Sequence, residues 1–185
     1  MATQLQICNN GILLLGATPI ASISDSSTEA VLCSNMWEQS KNAVLRIHPW
    51  NFAIKRALLA TPDVPAPAYE WLASFTLPTD LLRLLEVNGI TKYKVEGRKV
   101  LCDEASLAIR YVFKNDTFSD WDALFIEAMS AYMAFKLAYP LTKSNTTKKD
   151  MWDLFTEMLR TAKAIDAQEE PGDTIGEFPF LNVRG

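Results

Sequence analysis

The chain has 185 residues, 49% of them hydrophobic and 22% charged, which is enough for one ordinary domain with a real core or for a domain carrying a smaller appendage. Its net charge of −4 denies it the overall basic footprint of a protein that grips phosphates. Three scattered cysteines without a C-x-x-C pair, and a single histidine, argue against a disulfide scaffold and against structural zinc, and point to reduced thiols.

At the N-terminus no basic region precedes "ILLL", and nothing in the chain approaches the ~20 apolar residues of a membrane span, so the expectation is a protein made and folded in the cytoplasm, with no membrane partner. Residues 4–15 read as a helix with Leu5, Cys8, Ile12 and Leu15 on one face. Gly16 suits the left-handed position just past its end, and Pro19 comes after it. "SSTE" at 26–29 reads as a capping box between Ser26 and Glu29. It opens a helix of about 22 residues, roughly 33 Å long, whose stripe carries Ala30, Cys33, Trp37, Val44 and Ile47.

His48 precedes a proline and should end that helix. Pro49 fits the first position of a new one, with Trp50, Ala53 and Ala57 on one face, so His48, Pro49, Trp50, Asn51 and Phe52 read as a structural joint between two helices. In that joint Trp50 and Phe52 should point to different sides, while His48 and Asn51 satisfy amides freed by the broken helix. Lys41, Arg46, Lys55 and Arg56 around the joint read as a solvated face. Three prolines make 60–68 a stiff, extended connector.

Beyond the connector the period shortens. "TDLLRLLEV" reads as a helical turn running into a strand, "KYKVEGRKVLCD" as a hairpin turning at Glu96-Gly97, and "LAIRYVF" as a strand with Leu107, Ile109, Tyr111 and Phe113 on one side. Helices return with a segment capped by Ser119 and stopped at Pro140, then another from about 145 to 168. The expected fold is therefore mainly α. Residues 1–60 and 115–170 form one helical bundle, 69–114 a small inserted antiparallel β region, and 171–185 an extended C-terminal arm.

Chemistry is hard to build from these residues. With one histidine there is no nucleophile–base set, no metal site and no catalytic assignment. The seven glycines form neither a G-x-G-x-x-G nor a P-loop, so no cofactor is expected. Carboxylate pairs sit at turns and helix ends, where solvation accounts for them. The arm's Phe178, Phe180, Val183 and Arg184 have no evident core to fill and read as partner-binding. Surfaces, not a cleft, are expected to carry the function.

The ordered series "ILLLGATPIASISDSSTEA", "VLRIHPWNFAIKRALLA", "FTLPTDLLRLLEV", "YKVEGRKVLCD", "LAIRYV" and "EAMSAYMAFKLAYPLT" resembles the tail tubular protein A family, the head-to-tail adaptors of short-tailed bacteriophages. It runs from Ile12 to Thr142. The resemblance implies a virion structural protein at the head–tail junction: a ring of about twelve copies, a closed cyclic assembly, between the portal protein and a tail nozzle of the tail tubular protein B kind. Genomic DNA would pass through the lumen without specific binding, as a weakly phosphate-gripping wall allows. It also implies helices with a small β region. Some members of the family are proposed to degrade polysaccharide, which makes a tail-associated glycan hydrolase the alternative; that chemistry needs two carboxylates across a cleft.

Overall fold

The computed structural model describes residues 2–169; the predicted arm, 171–185, lies outside them, and with it Phe178, Phe180, Val183 and Arg184. Helix α1 spans Gln4–Leu14, α2 Thr28–Ile47, α3 Ala123–Thr142 and α4 Asn145–Glu169. Strands β1 (Ile54–Leu59), β2 (Ala73–Thr76), β3 (Leu81–Val87), β4 (Lys94–Glu96), β5 (Lys99–Cys102) and β6 (Leu107–Phe113) lie between the two helix pairs. The protein is thus mixed α/β: among the described residues, four α-helices and two antiparallel three-stranded sheets, ordered β1-β6-β3 and β2-β5-β4.

Helix α3 is the hub of the bundle and packs against α1, α2 and α4. Its crossing with α1 is close because a Cβ on Gly11 would meet the Ala134 nitrogen and the Ser130 oxygen, both at 3.0 Å. α1 ends as its sequence suggests. Gly16 takes φ +69°, its N–H donates to Leu13 O at 2.9 Å, and Ala17 N–H reaches back to Ile12 O at 3.2 Å, which satisfies the last carbonyls. Two caps differ from expectation. Ser27, not Ser26, caps α2 by accepting from the Ala30 amide at 3.3 Å. Asp122, not Ser119, caps α3 by accepting from Leu124 and Phe125, because Ser119 sits in a separate 3-10 turn, Phe118–Asp120. Pro140 does not stop α3, which runs on to Thr142. So near the end a proline forfeits little, and Lys143 in the left-handed region closes the helix by donating to Tyr139 O.

The larger correction concerns residues 54–59. The spacing of Trp50, Ala53 and Ala57 predicts a helix here, but only one 3-10 turn, Asn51–Ala53, separates Pro49 from the extended strand β1. β1 pairs along its full length with β6, from Ile54 opposite Val112 to Leu59 opposite Leu107. That six-residue ladder prevails over the alanine spacing that suggests a helix. The β region therefore takes an edge strand from within residues 1–60, and "mainly α" understates it. In "TDLLRLLEV" only Thr79 and Asp80 turn, closed by the Leu81 N–H donating to Pro78 O at 3.1 Å, and the rest is strand β3, with register shifts at Leu81/Arg83 and Leu84/Glu86. These shifts let Leu82 and Leu85 face the bundle while Leu81, Leu84 and Val87 face the other sheet, reproducing a helix-like spacing on a strand.

Two cores result. One joins α1–α4 with Trp50, Ala53 and Val112; the other lies between the two sheets around Phe75, Val100, Leu107, Ile109 and Tyr111. β6 serves both, its odd-numbered residues facing the second sheet and Val112 the bundle. The hairpin turns one residue later than the predicted Glu96-Gly97: Glu96 pairs with Lys99, which leaves Gly97, at φ +58°, and Arg98 as the two turn residues.

Candidate functional site

The stretch 48–52 does form a corner, between α2 and β1, but its partners are distant. His48 takes extended backbone angles as the C-cap of α2. Its Nε2 lies 2.9 Å from Asp166 Oδ2 on α4. The Asn51 amide donates to Asp166 Oδ1 at 3.0 Å, and the Asn51 side-chain nitrogen donates to the Asp166 carbonyl at 2.8 Å. One buried carboxylate, 8% exposed, thus spends both oxygens on the corner. Trp50 is buried, donates from its indole N–H to Val44 O at 3.2 Å, and meets the His48 ring edge-on. Trp50 and Phe52 do not diverge. They stack on each other, and each packs edge-to-face on Phe125 at about 5 Å, because the chain here is not a helix. The ring cluster continues through Trp121 to Trp37 and Phe118.

A second polar junction joins α2 to the loop after β6. Lys41 is 1% exposed and pairs with Glu38 at 2.9 Å and with Asp116. Lys114 reaches the same two carboxylates at 2.7 and 3.9 Å. The Lys114 hydrogen bond, aided by Lys41, holds the Glu38 carboxyl below its usual range against the effect of burial, and Glu38 in turn raises Lys114. Lys41, Arg46, Lys55 and Arg56 therefore do not share one solvated face: Lys41 is interior, and Lys55 pairs with Asp80 at 2.8 Å. Asp80 also accepts from the Tyr111 hydroxyl at 3.1 Å; burial and this contact push Tyr111 up to about 12. The Cys8 and Cys33 thiols, on α1 and α2, are buried neighbours; their mutual hydrogen bond and burial keep Cys8 protonated.

The connector offers the opposite kind of surface. Asp63 ties it to the second sheet, its amide donating to Ser74 O at 2.7 Å while its carboxylate accepts from Thr76 at 2.9 Å and meets Lys99 at 3.1 Å. The Lys99 contact holds this carboxyl below its usual range. At the far end the Leu72 amide donates to Asp103 at 3.0 Å. Between these ties Val64 is 95% exposed and Tyr69 81%, and Leu72 is 77% exposed at the far tie. This is a ridge of large apolar side chains on a braced backbone. Sequence reasoning recognises the connector but not its outward aromatics; the signal is apolar residues interleaved with prolines.

Among the described residues no group of three or more His, Cys, Asp or Glu is placed to hold a metal ion, and no helix is long and apolar enough to cross a membrane. No family model matches the chain, and no curated protein matches it.

Proposed function

We propose that this chain is a virion structural protein, a head-to-tail adaptor of the tail tubular protein A kind. About twelve copies would form a ring between the portal protein and the tail nozzle and line the channel through which genomic DNA leaves. The observation that carries the reading is the braced apolar ridge of Val64, Tyr69 and Leu72. Isolated exposed apolar residues are ordinary, but a group of them on one anchored segment is the signature of a contact surface. Further support comes from the motif series, whose pieces fall on the elements that build both cores: the end of α1, the corner, β2–β3, β4–β5, β6 and α3. The C-terminal residues Phe178, Phe180, Val183 and Arg184 would add a second contact with a neighbouring subunit or the portal.

Each copy carries a charge of −4, which opposes spontaneous closure, so the ring forms on the portal template. The isolated protein should run as a monomer or weak oligomer in native mass spectrometry. Mixing it with portal should give rings capped by this protein in electron micrographs. A protein that leaves portal particles undecorated at micromolar concentration is not the adaptor.

A further inference from the structure

Where the last turn of α2, strand β3 and the β4–β5 turn come together lies a groove of about 320 Å³ lined by Arg46, Arg83 and Arg98 and by no carboxylate. Among the described residues none of these three guanidiniums forms an ion pair, although acids outnumber bases 22 to 18 in the chain. The lysines of the neighbouring strands are paired, Lys55 with Asp80, Lys94 with Glu96 and Lys99 with Asp63. Backbone carbonyls hold two of the arginines instead. Arg83 Nη1 donates to Arg46 O at 3.3 Å and to Ile47 O at 3.2 Å, and Arg98 donates to Pro78 O. A guanidinium carries more N–H groups than these bonds use, so each keeps donors for an anion and holds them already oriented.

The groove also follows a strand edge. Leu81, Leu82, Arg83 and Leu84 all line it, and successive residues of a strand face opposite ways, so a groove that touches all four runs along the edge of β3 and not over one face. β6 takes the other edge; on this one β3 has no ladder partner among the described residues. Val95, which lines the groove too, belongs to β4, the outer strand of the second sheet. A small anion would use the arginines and leave the leucines and the strand edge idle. A nucleic-acid strand has no amide backbone with which to continue a ladder. An extended acidic peptide uses all three features: its backbone pairs with the open edge, its apolar side chains meet the leucines and Val95, and its carboxylates meet the guanidiniums. We propose that this groove docks such a segment from a partner protein, added as a strand to β3 with its carboxylates on Arg46, Arg83 and Arg98. The same arginines turn away basic strands, which gives an open edge its selectivity. The proposal names its partner by chemistry alone and does not depend on the chain's being an adaptor.

The test titrates the full-length protein into a fluorescent peptide of seven residues, the length of β3, that alternates aspartate with valine. Its anisotropy should rise, and ~1 M salt, which cuts the screening length to about 3 Å, should weaken the binding. Arg46→Glu combined with Arg98→Glu, both exposed, should weaken it about tenfold or more while the melting temperature stays near that of the parent. Arg83 is left intact because it ties the end of α2 to β3. A peptide with lysine in place of aspartate should prefer the doubly reversed variant to the parent. The aspartate peptide N-methylated along its whole backbone keeps its charge but has no ladder donors, and it should bind about tenfold more weakly or worse. Absent binding, binding indifferent to the two arginines, or equal binding of the N-methylated peptide or of single-stranded DNA of the same charge overturns the inference. So does self-association of the free protein that the double reversal abolishes, which would make a second copy the occupant.

Discussion

His48–Phe52 and Pro65–Trp71 both combine proline with aromatic rings just past the end of an element, yet Trp50 is 1% exposed and Tyr69 81%. At the corner the rings meet Phe125 from α3 and the polar groups meet Asp166 from α4. On the connector the backbone is tied at Asp63 and Leu72, and Trp71 turns inward, but among the described residues nothing covers Val64, Tyr69 or Leu72. Local composition set the stiffness of both stretches. What arrived from elsewhere in the chain decided which became interior.

The contrast breaks most sharply at Trp50. Trp50→Ala should cost about 3–5 kcal/mol in a denaturant melt, since it opens a cavity among Phe52, Phe125 and His48. A loss under 1 kcal/mol would mean the corner is no more interior than the connector. Asp166→Ala should cost about 1–3 kcal/mol, because the Asn51 amide and the His48 ring lose a buried acceptor. Unchanged stability there would show that ring packing alone holds the corner.

Acid tests the connector's tie. The folded carboxyl of Asp63 is depressed below the unfolded value of about 3.9 by Lys99 and Thr76. Its contribution is therefore present above that value and lost as pH falls through the lower, folded one. The melting temperature should decline below about pH 4, and Asp63→Asn should decline less steeply over the same range. The smallest effect belongs to the ridge itself. Tyr69→Ser and Leu72→Ser should each stay within about 0.5 kcal/mol of the parent, as exposed substitutions do, while weakening the portal decoration that the proposed function requires. A large drop in stability would place those side chains in a core.

Where the determinants are local, sequence and structure agree. Gly16 and Gly97 mark turns that need a positive φ, and the alternation of Leu107 to Phe113 marks β6. The misplaced features are non-local. The partner of His48 lies 118 residues away, and buried Lys41 finds Asp116 75 residues away, in the loop after β6. Likewise β1 looks like the start of a helix until a strand fifty residues later supplies its ladder. The two shifts in β3 show the same limit, since leucines three apart fit a helix and a bulged strand equally well.

Strand β1 precedes the connector while its only ladder partner among the described residues, β6, comes after it. The β region therefore cannot be excised as a module: a piece starting at the connector would lack one edge of its sheet and expose β6 as a new edge. Conversely, a protease nick between Val64 and Leu72 would sever the covalent link but leave the two fragments held by six paired residues and both cores. Chimeras that exchange the β region between related proteins should thus take their first crossover before Ile54, at the corner, and not at the prolines where the composition invites it.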